Sequence, residues 1–222
     1  IKKFKLWNYW KAVAICNIGI FAFLIMIYFI ELQEGFQILN NFEMVASFIG
    51  VMVRVTFTIF ASVLIVKLIV DEYKNKSINL LFSYPIKRKK IFSAKLIIVF
   101  VFTFVMVLIS TLFQEGLVLV VDKNFNILPE GAESLDMSKH VLTVFMNSFA
   151  TAGISLIPLL VSMSRKSASA TIITSILIAS ILNSGNGDYN LFSIIGMPLA
   201  IGLVGVLIGY YSIRNIEKKD LV

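Results

Sequence analysis

Residues 96–121, LIIVFVFTFVMVLISTLFQEGLVLVV, decide the fold of this 222-residue chain. The first charged residue in the stretch is Glu115, so no formal charge interrupts residues 96–114. A helix needs roughly 20 apolar residues to cross the hydrocarbon core of a bilayer, and lipid offers no hydrogen-bond partners to an irregular backbone. We therefore predict a transmembrane helix over residues 96–121.

Five further apolar stretches predict that the chain crosses the membrane six times, as an all-α integral membrane protein. Residues 12–30 are too long for a signal-peptide core and no small-x-small cleavage site follows them, so we expect them to be retained as the first helix. Residues 1–11, which contain two tryptophans and a tyrosine beside lysines, are expected to form an interfacial segment. No linker or internal repeat divides the chain, so one transmembrane domain over residues 1–222 is predicted. Its helices are expected at residues 12–30, 44–70, 96–121, 141–163, 168–182 and 191–211.

Positive charge is distributed unequally between the two sides of the predicted membrane domain. The chain is 58% hydrophobic, has a mean hydropathy of +0.89 and carries a formal net charge of +7. Sixteen Lys and Arg residues lie before the first helix, in the second and fourth connections and after the sixth helix, whereas the opposite side has only Lys123 and Lys139. Because cytoplasmic loops are enriched in Lys and Arg, both termini are predicted to be cytoplasmic. Topology and contact with membrane lipid explain the basic charge, so no nucleic acid partner is expected.

The sequence contains few residue combinations that could catalyse a reaction. No GxxxxGK[ST] phosphate-binding loop and no HExxH zinc motif is present. His140 is the sole histidine and Cys16 the sole cysteine, and a lone residue of either type is typically structural. We therefore predict no catalytic, cofactor-binding or metal-binding residue in this chain and no enzymatic activity of its own.

Two ionisable residues within the predicted helices are candidates for a translocation path, because a charge in hydrocarbon is costly. Arg54 lies roughly 15 Å into the second helix, and Glu115 lies about 28 Å along the third, at 1.5 Å per residue. The two side chains could pair across a cavity. If the second helix instead begins later than residue 44, both side chains lie near the outer interface, and the sequence leaves the two arrangements open.

The second connection, residues 71–95, reads DEYKNKSINLLFSYPIKRKKIFSAK. Ile78, Leu81 and Phe82 share one face at i, i+3, i+4 spacing, which predicts a short amphipathic cytoplasmic helix that stops before Pro85. A run of four residues, three lysines and an arginine, follows the proline. In an arbitrary membrane protein this pattern is typical of a helix lying on anionic lipid.

This connection resembles that of ABC-2 type ABC-transporter permeases. In that family an acidic residue ends the second helix, a polar turn and Leu-Leu follow, then Pro and Arg, and Ala-Lys opens the third helix. Ser77-Ile78 stands where the family often has Gly-Thr, and the C-terminal tail with Tyr210, Tyr211 and EKKDL also looks like that of such permeases. The matching residues of this chain are Glu72, Ser77, Leu80, Leu81, Pro85, Arg88, Ala94 and Lys95.

The resemblance implies a transporter built from two kinds of chain. A separate cytoplasmic ATPase, which binds the ATP and Mg, would dock on the connection and drive two permease subunits, identical or related, that face each other around a path. Residues implied in coupling to that ATPase are Glu72, Ser77, Leu80, Leu81, Pro85, Arg88 and Lys95. Small permeases of this kind resemble exporters of toxin or antimicrobial peptides and the bacteriocin-immunity permeases that expel such peptides, so a bacterial plasma membrane is expected. Six strongly apolar helices are expected to suit an apolar or amphipathic cargo.

A second hypothesis belongs to a different functional class. The chain would then be a non-transporting membrane scaffold or sensor whose basic connection binds lipid or a partner protein. A phosphate-loop ATPase encoded by the adjacent gene, and its co-purification with this chain, would favour the permease.

Overall fold

A computed structural model describes residues 6–34, 41–71, 88–125, 137–165, 167–183 and 196–214, and the elements in these ranges are all helices. In chain order they are α1 (Leu6–Glu34), α2 (Phe42–Ile65) with its continuation as a π-helical turn (Val66–Val70), α3 (Arg88–Phe125), α4 (Met137–Ile154), α5 (Pro158–Arg165), α6 (Ala168–Asn183) and α7 (Met197–Arg214).

Most of these helices are long and apolar enough to cross a bilayer. Four stretches meet this requirement by length and composition, namely Tyr9–Glu31, Phe42–Val70, Lys89–Phe125 and Met137–Met163. Two shorter apolar helices, Ala168–Asn183 and Met197–Ser212, correspond to the predicted fifth and sixth crossings. The predicted six-helix all-α membrane protein is thereby confirmed. The sidedness of the termini stays a prediction, and the predicted amphipathic helix lies within residues 72–87, outside the described ranges.

Two helices begin earlier than the sequence predicted. The first, α1, runs without interruption from Leu6, so residues 6–11 are helical and continuous with the first predicted crossing, and the position of residues 1–11 at the membrane interface stays a prediction. The third, α3, begins at Arg88, so the last eight residues assigned to the connection are already helical. The sequence RKKIFSAK has no Gly or Pro and is rich in good helix formers, so nothing in it stops α3 from extending back towards Pro85.

The predicted fourth crossing, residues 141–163, is interrupted. It consists of α4 and α5, which are separated by a turn at residues 155–157. Pro158 has no N–H to donate and its ring clashes with the preceding helical turn, which breaks the regular ladder at this point. At the turn the backbone instead forms tighter i→i+3 hydrogen bonds, in which Leu156 N donates to Gly153 O at 3.1 Å and Ile157 N donates to Ile154 O at 3.0 Å.

The helices group into two compact units. One comprises Ile1–Val53 with Leu108–Val144, and the other comprises Arg54–Val107 with Phe145–Val222. In the second unit, α5 packs against α6, α7 and the π-helical turn, and α6 also packs against that turn. The organisation of the chain as one transmembrane domain stays a prediction.

Glycines let α4 and α7 approach each other within the second unit. A Cβ atom added to Gly153 would lie 2.7 Å from the Cα of Gly202, and one added to Gly205 would lie 2.8 Å from the backbone nitrogen of Ile154. Small residues at such crossings allow close backbone packing in membranes. Gly196 is different, because a Cβ there would meet nothing within 4 Å, and its φ of +103° instead provides a left-handed turn before α7.

Candidate functional site

Arg54 lies in the middle of α2 and is almost completely buried in the chain. It follows Phe42 by twelve residues, about 18 Å along the helix, within the 29-residue stretch that is long enough to span. Its Nε donates a hydrogen bond of 3.0 Å to Oδ1 of Asn183, the last residue of α6. The amide nitrogen of Asn183 donates to the carbonyl of Ala179 at 2.8 Å, which orients Oδ1 towards the guanidinium.

A line of buried polar side chains continues from Arg54 along α2. Thr58 and Ser62 follow at i+4 and i+8, on the same helix face, and both are buried. The hydroxyl oxygens of Ser62 and Ser175 lie 3.0 Å apart, so α6 faces this line at a second point. We call Arg54, Thr58, Ser62, Ser175 and Asn183 the polar seam.

The polar seam fixes the direction in which α2 and α6 cross. Arg54 pairs with Asn183 and Ser62 pairs with Ser175, so the chain advances by eight residues on α2 while it recedes by eight on α6. The two helices are therefore antiparallel, with polar contacts two helical turns apart. This direction agrees with the predicted alternation of crossings, in which the second and fifth helices run in opposite directions through the membrane.

Glu115 and His140 form a second ionisable contact, in the first compact unit. Nε2 of His140, on α4, lies 3.1 Å from Oε2 of Glu115 on α3. A contact this short between an imidazole and a carboxylate is attractive when the imidazole carries a proton on the facing nitrogen. Glu43, in the first turn of α2, adds a second negative charge near the imidazole. The ring of Phe42 stands edge-on to it at a centroid distance of 5.9 Å.

A cluster of amides connects α1 to α3 one residue before Glu115. The side-chain nitrogen of Asn17 donates to the carbonyl of Val13 and to the hydroxyl of Ser110, both at 3.0 Å. Nε2 of Gln114 donates to the backbone oxygen of Asn17 at 2.7 Å. Gln114 is fully buried, and its Oε1 has no hydrogen-bond partner among the described residues. Within residues 96–121 of α3, the segment 110–115 thus holds most of the polar side chains.

The predicted path residues occur in different environments. Arg54 contacts Asn183 in one compact unit, and Glu115 contacts His140 in the other. Their pairing with each other, and their place along a translocation path, stay predictions. The structure shows both side chains buried in the chain with polar neighbours, as a charge in hydrocarbon requires.

Most of the residues predicted to couple to an ATPase fall outside the described ranges. Arg88 begins α3, but its side chain is not described. Lys95 is described, and its Nζ donates a hydrogen bond of 2.8 Å to the backbone carbonyl of Leu68 in the π-helical turn. Residues of the set outside the described ranges are Glu72, Ser77, Leu80, Leu81 and Pro85.

Sequence reasoning missed the partners of the charged residues. His140 was expected to be merely structural, and neither Asn183 nor the amides of Asn17 and Gln114 were singled out. Their signal was present, because an amide side chain in an apolar span is itself costly unless it finds a partner across helices. Which partner it finds depends on contacts such as Arg54 with Asn183, 129 residues apart in sequence.

Comparisons with known proteins confirm the family that the chain resembles. A family model described as ABC-2 family transporter protein matches residues 1–181. A Bacillus subtilis (strain 168) protein named "Uncharacterized protein YcbO" is 33% identical over 220 residues, covering 99% of this chain and 96% of that protein. No solved structure matches the chain.

Proposed function

Because the chain belongs to the ABC-2 family of transporter proteins, we propose that it forms the membrane path of an ATP-driven exporter for an apolar or amphipathic cargo. The chain is a permease subunit of an ABC transporter, and its ATP-binding partner is a separate chain in the cytoplasm. The proposal adds that transport is outward, that the cargo is a toxin or antimicrobial peptide, and that two permease subunits pair in a bacterial plasma membrane. The relative from Bacillus supports the bacterial setting.

The observation that best supports a transport path is the polar seam. A permanently charged guanidinium in the middle of a span, hydrogen-bonded to an amide of another helix, is expensive to maintain in lipid. A helix pair that needed only to pack could replace Arg54 and Asn183 by apolar residues. We therefore assign the seam to the path, where the guanidinium can meet polar groups of a passing cargo.

The outer connections of the chain support an outward direction and an amphipathic cargo. Between the predicted helices they comprise residues 31–43, 122–140 and 183–190, too few for a folded domain that captures cargo from outside. Cargo would then enter from the cytoplasm or the inner leaflet. A peptide with an apolar face and a polar face fits an apolar helix bundle that contains a few buried polar groups.

Uptake into inside-out vesicles tests export and cargo class together. Vesicles with this chain and the phosphate-loop ATPase encoded by the adjacent gene are given a fluorescently labelled amphipathic helical peptide, with or without ATP. We expect ATP-dependent accumulation inside the vesicles, and a labelled soluble polar peptide of equal length should not accumulate. ATP-dependent loss of peptide from preloaded vesicles would show import, and equal accumulation of both peptides would contradict the proposed cargo class.

Docking of the ATPase on the second connection is tested by a charge placed at Leu81. Leu81→Asp should abolish co-purification of the ATPase, because a carboxylate cannot replace an apolar anchor in a protein interface. Leu135→Asp makes the same substitution in the predicted outer connection and should leave co-purification unchanged. Loss of the complex in both variants, or in neither, would refute the assignment of docking to this connection.

A further inference from the structure

Lys95, the last residue of the predicted second connection, lies on α3 and joins it to the inner end of α2. It lies seven residues after Arg88, about 10 Å into α3, and its Nζ donates to the carbonyl of Leu68 at 2.8 Å. Leu68 precedes Asp71, the last residue described before residues 72–87, by three residues. The hydrogen bond therefore lies within about two helical turns of the two points between which residues 72–87 run.

The carbonyl that Lys95 reaches belongs to a π-helical turn. In this turn the backbone N–H of Asp71 bonds to the carbonyl of Val66, five residues earlier, and not to that of Lys67 as in an α-helix. A backbone carbonyl has two lone pairs and can accept a side-chain donor beside any helical partner, and a charged donor forms the stronger bond. An ammonium with three donors on a long stem supplies such a donor from a neighbouring helix.

Other contacts hold the same turn in place. Val66, Ile69 and Val70 are buried, and α5 and α6 both pack against the turn. The ammonium of Lys95 also lies 5.7 Å from the centroid of the Phe92 ring, one turn earlier on α3, a distance at which a cation is attracted to an aromatic face. The side chain of Lys95 thus extends from α3 to a turn that α5 and α6 hold in place.

We infer that Lys95 is a positioning residue that ties the inner ends of α2 and α3 together, so that force on the second connection moves both helices as one. The family pattern places Lys95 among the coupling residues, whereas the structure directs its ammonium to Leu68 and so assigns it an action within the permease. Without this hydrogen bond, the ends of α2 and α3 on either side of residues 72–87 could move apart. Part of the movement that the ATPase imposes on the connection would then separate the two helices and not move them together. The transport role rests on the proposed docking of the ATPase on this connection, but the tie does not.

Distance measurements test the tie independently of any cargo. Spin labels at Asp71 and Lys90, in a Cys16→Ser background, report the separation of the two helix ends by double electron–electron resonance. We expect a narrow distribution in the parent and a clearly broader one in Lys95→Met, which keeps the side-chain length and removes the donor. Lys95→Arg, which keeps a charged donor, should restore the narrow distribution. Lys123→Met, which removes a cation from the other end of α3, is the matched control.

Turnover measurements test the consequence for coupling. Lys95→Met should still bind the adjacent-gene ATPase but lose most of the stimulation of ATP hydrolysis by this chain. The stimulation should fall roughly tenfold or more, because the variant loses a hydrogen bond from a charged donor. Lys95→Arg and Lys123→Met should retain it.

Each contrary result has a separate meaning. A narrow distribution together with full stimulation in Lys95→Met would overturn the inference while leaving the proposed function intact. A parent chain that binds no ATPase would overturn the proposed function, and the distance measurement would still decide the tie. If Lys95→Met does not reach the membrane, Lys95→Gln takes its place. Failure of both to insert would show a lysine needed for folding, which also overturns the inference.

Discussion

Substitution of Gly153 by alanine tests whether α4 and α7 touch through their backbones. The added Cβ would lie 2.7 Å from the Cα of Gly202, whereas unstrained carbon atoms pack at about 3.5–4.0 Å, so the helices must separate by about 1 Å. Forcing an extra carbon into a packed interior costs about 1–3 kcal/mol. Alanine gains up to about 1 kcal/mol over glycine in helix propensity, which offsets part of that cost.

We therefore expect Gly153→Ala to lower the free energy of unfolding by about 1–2 kcal/mol, because the clash exceeds the gain in propensity. The measurement is unfolding of the purified protein in mixed micelles by titration with dodecyl sulfate. Gly19→Ala in α1 is the matched control, since a Cβ there would meet nothing within 4 Å. This control should be neutral or slightly stabilising. Equal stability of Gly153→Ala and the parent would refute the close crossing, and equal losses in both variants would show that the position does not matter.

Three further predictions concern sidedness and the buried ionisable residues. A cysteine at Asn75 should react with an impermeant maleimide only after permeabilisation, whereas one at Ser134 should react on intact cells. Arg54→Leu should insert at least as well as the parent, since a central Arg costs about 2.5–3.5 kcal/mol, while peptide uptake falls sharply. Glu115→Gln and His140→Gln should each lower uptake, and the double variant should lose less than the sum, because each residue acts through the other.

The same measurements contain the results that would contradict these predictions. Labelling of Asn75 on intact cells would reverse the orientation of the whole chain. If Arg54→Leu takes up peptide as well as the parent, the polar seam does not line the path. Arg54→Lys keeps the positive charge and changes the shape of the side chain, so it separates the two effects. Strictly additive losses for Glu115 and His140 would show that their 3.1 Å contact has no functional role.

The sequence predicted the helices well because a bilayer restricts what the backbone can do. Long uncharged stretches such as residues 96–114 can only be helical in lipid, and the structure describes a helix there within α3. The interruption before Pro158 was not predicted, although proline cannot continue a hydrogen-bond ladder and its position is a signal for one. The π-helical turn was not readable, because nothing in VKLIV itself distinguishes a π turn from an α turn. Its buried face and its neighbours α5 and α6 are tertiary features.

The candidate site could be predicted only in part. Arg54 and Glu115 are identified by charge in an apolar context, which any local reading of the sequence detects. Their partners depend on how distant helices are aligned. Asn183 reaches Arg54 because α2 and α6 are antiparallel and their two polar contacts are eight residues apart on each helix. If one helix were shifted by one residue relative to the other, its side chain would be rotated by about 100° away from its partner.

ATP hydrolysis measured with and without this chain tests whether the chain is a permease subunit powered by a separate ATPase. The tagged chain is co-expressed with the phosphate-loop ATPase encoded by the adjacent gene, purified, and reconstituted in lipid nanodiscs. A permease subunit powered by a separate ATPase should retain that protein through purification, and the turnover of the ATPase in the complex should differ from its turnover alone. If the chain purifies without the ATPase and the rate of hydrolysis is the same whether or not the chain is present, this chain is not the permease subunit that the ATPase powers.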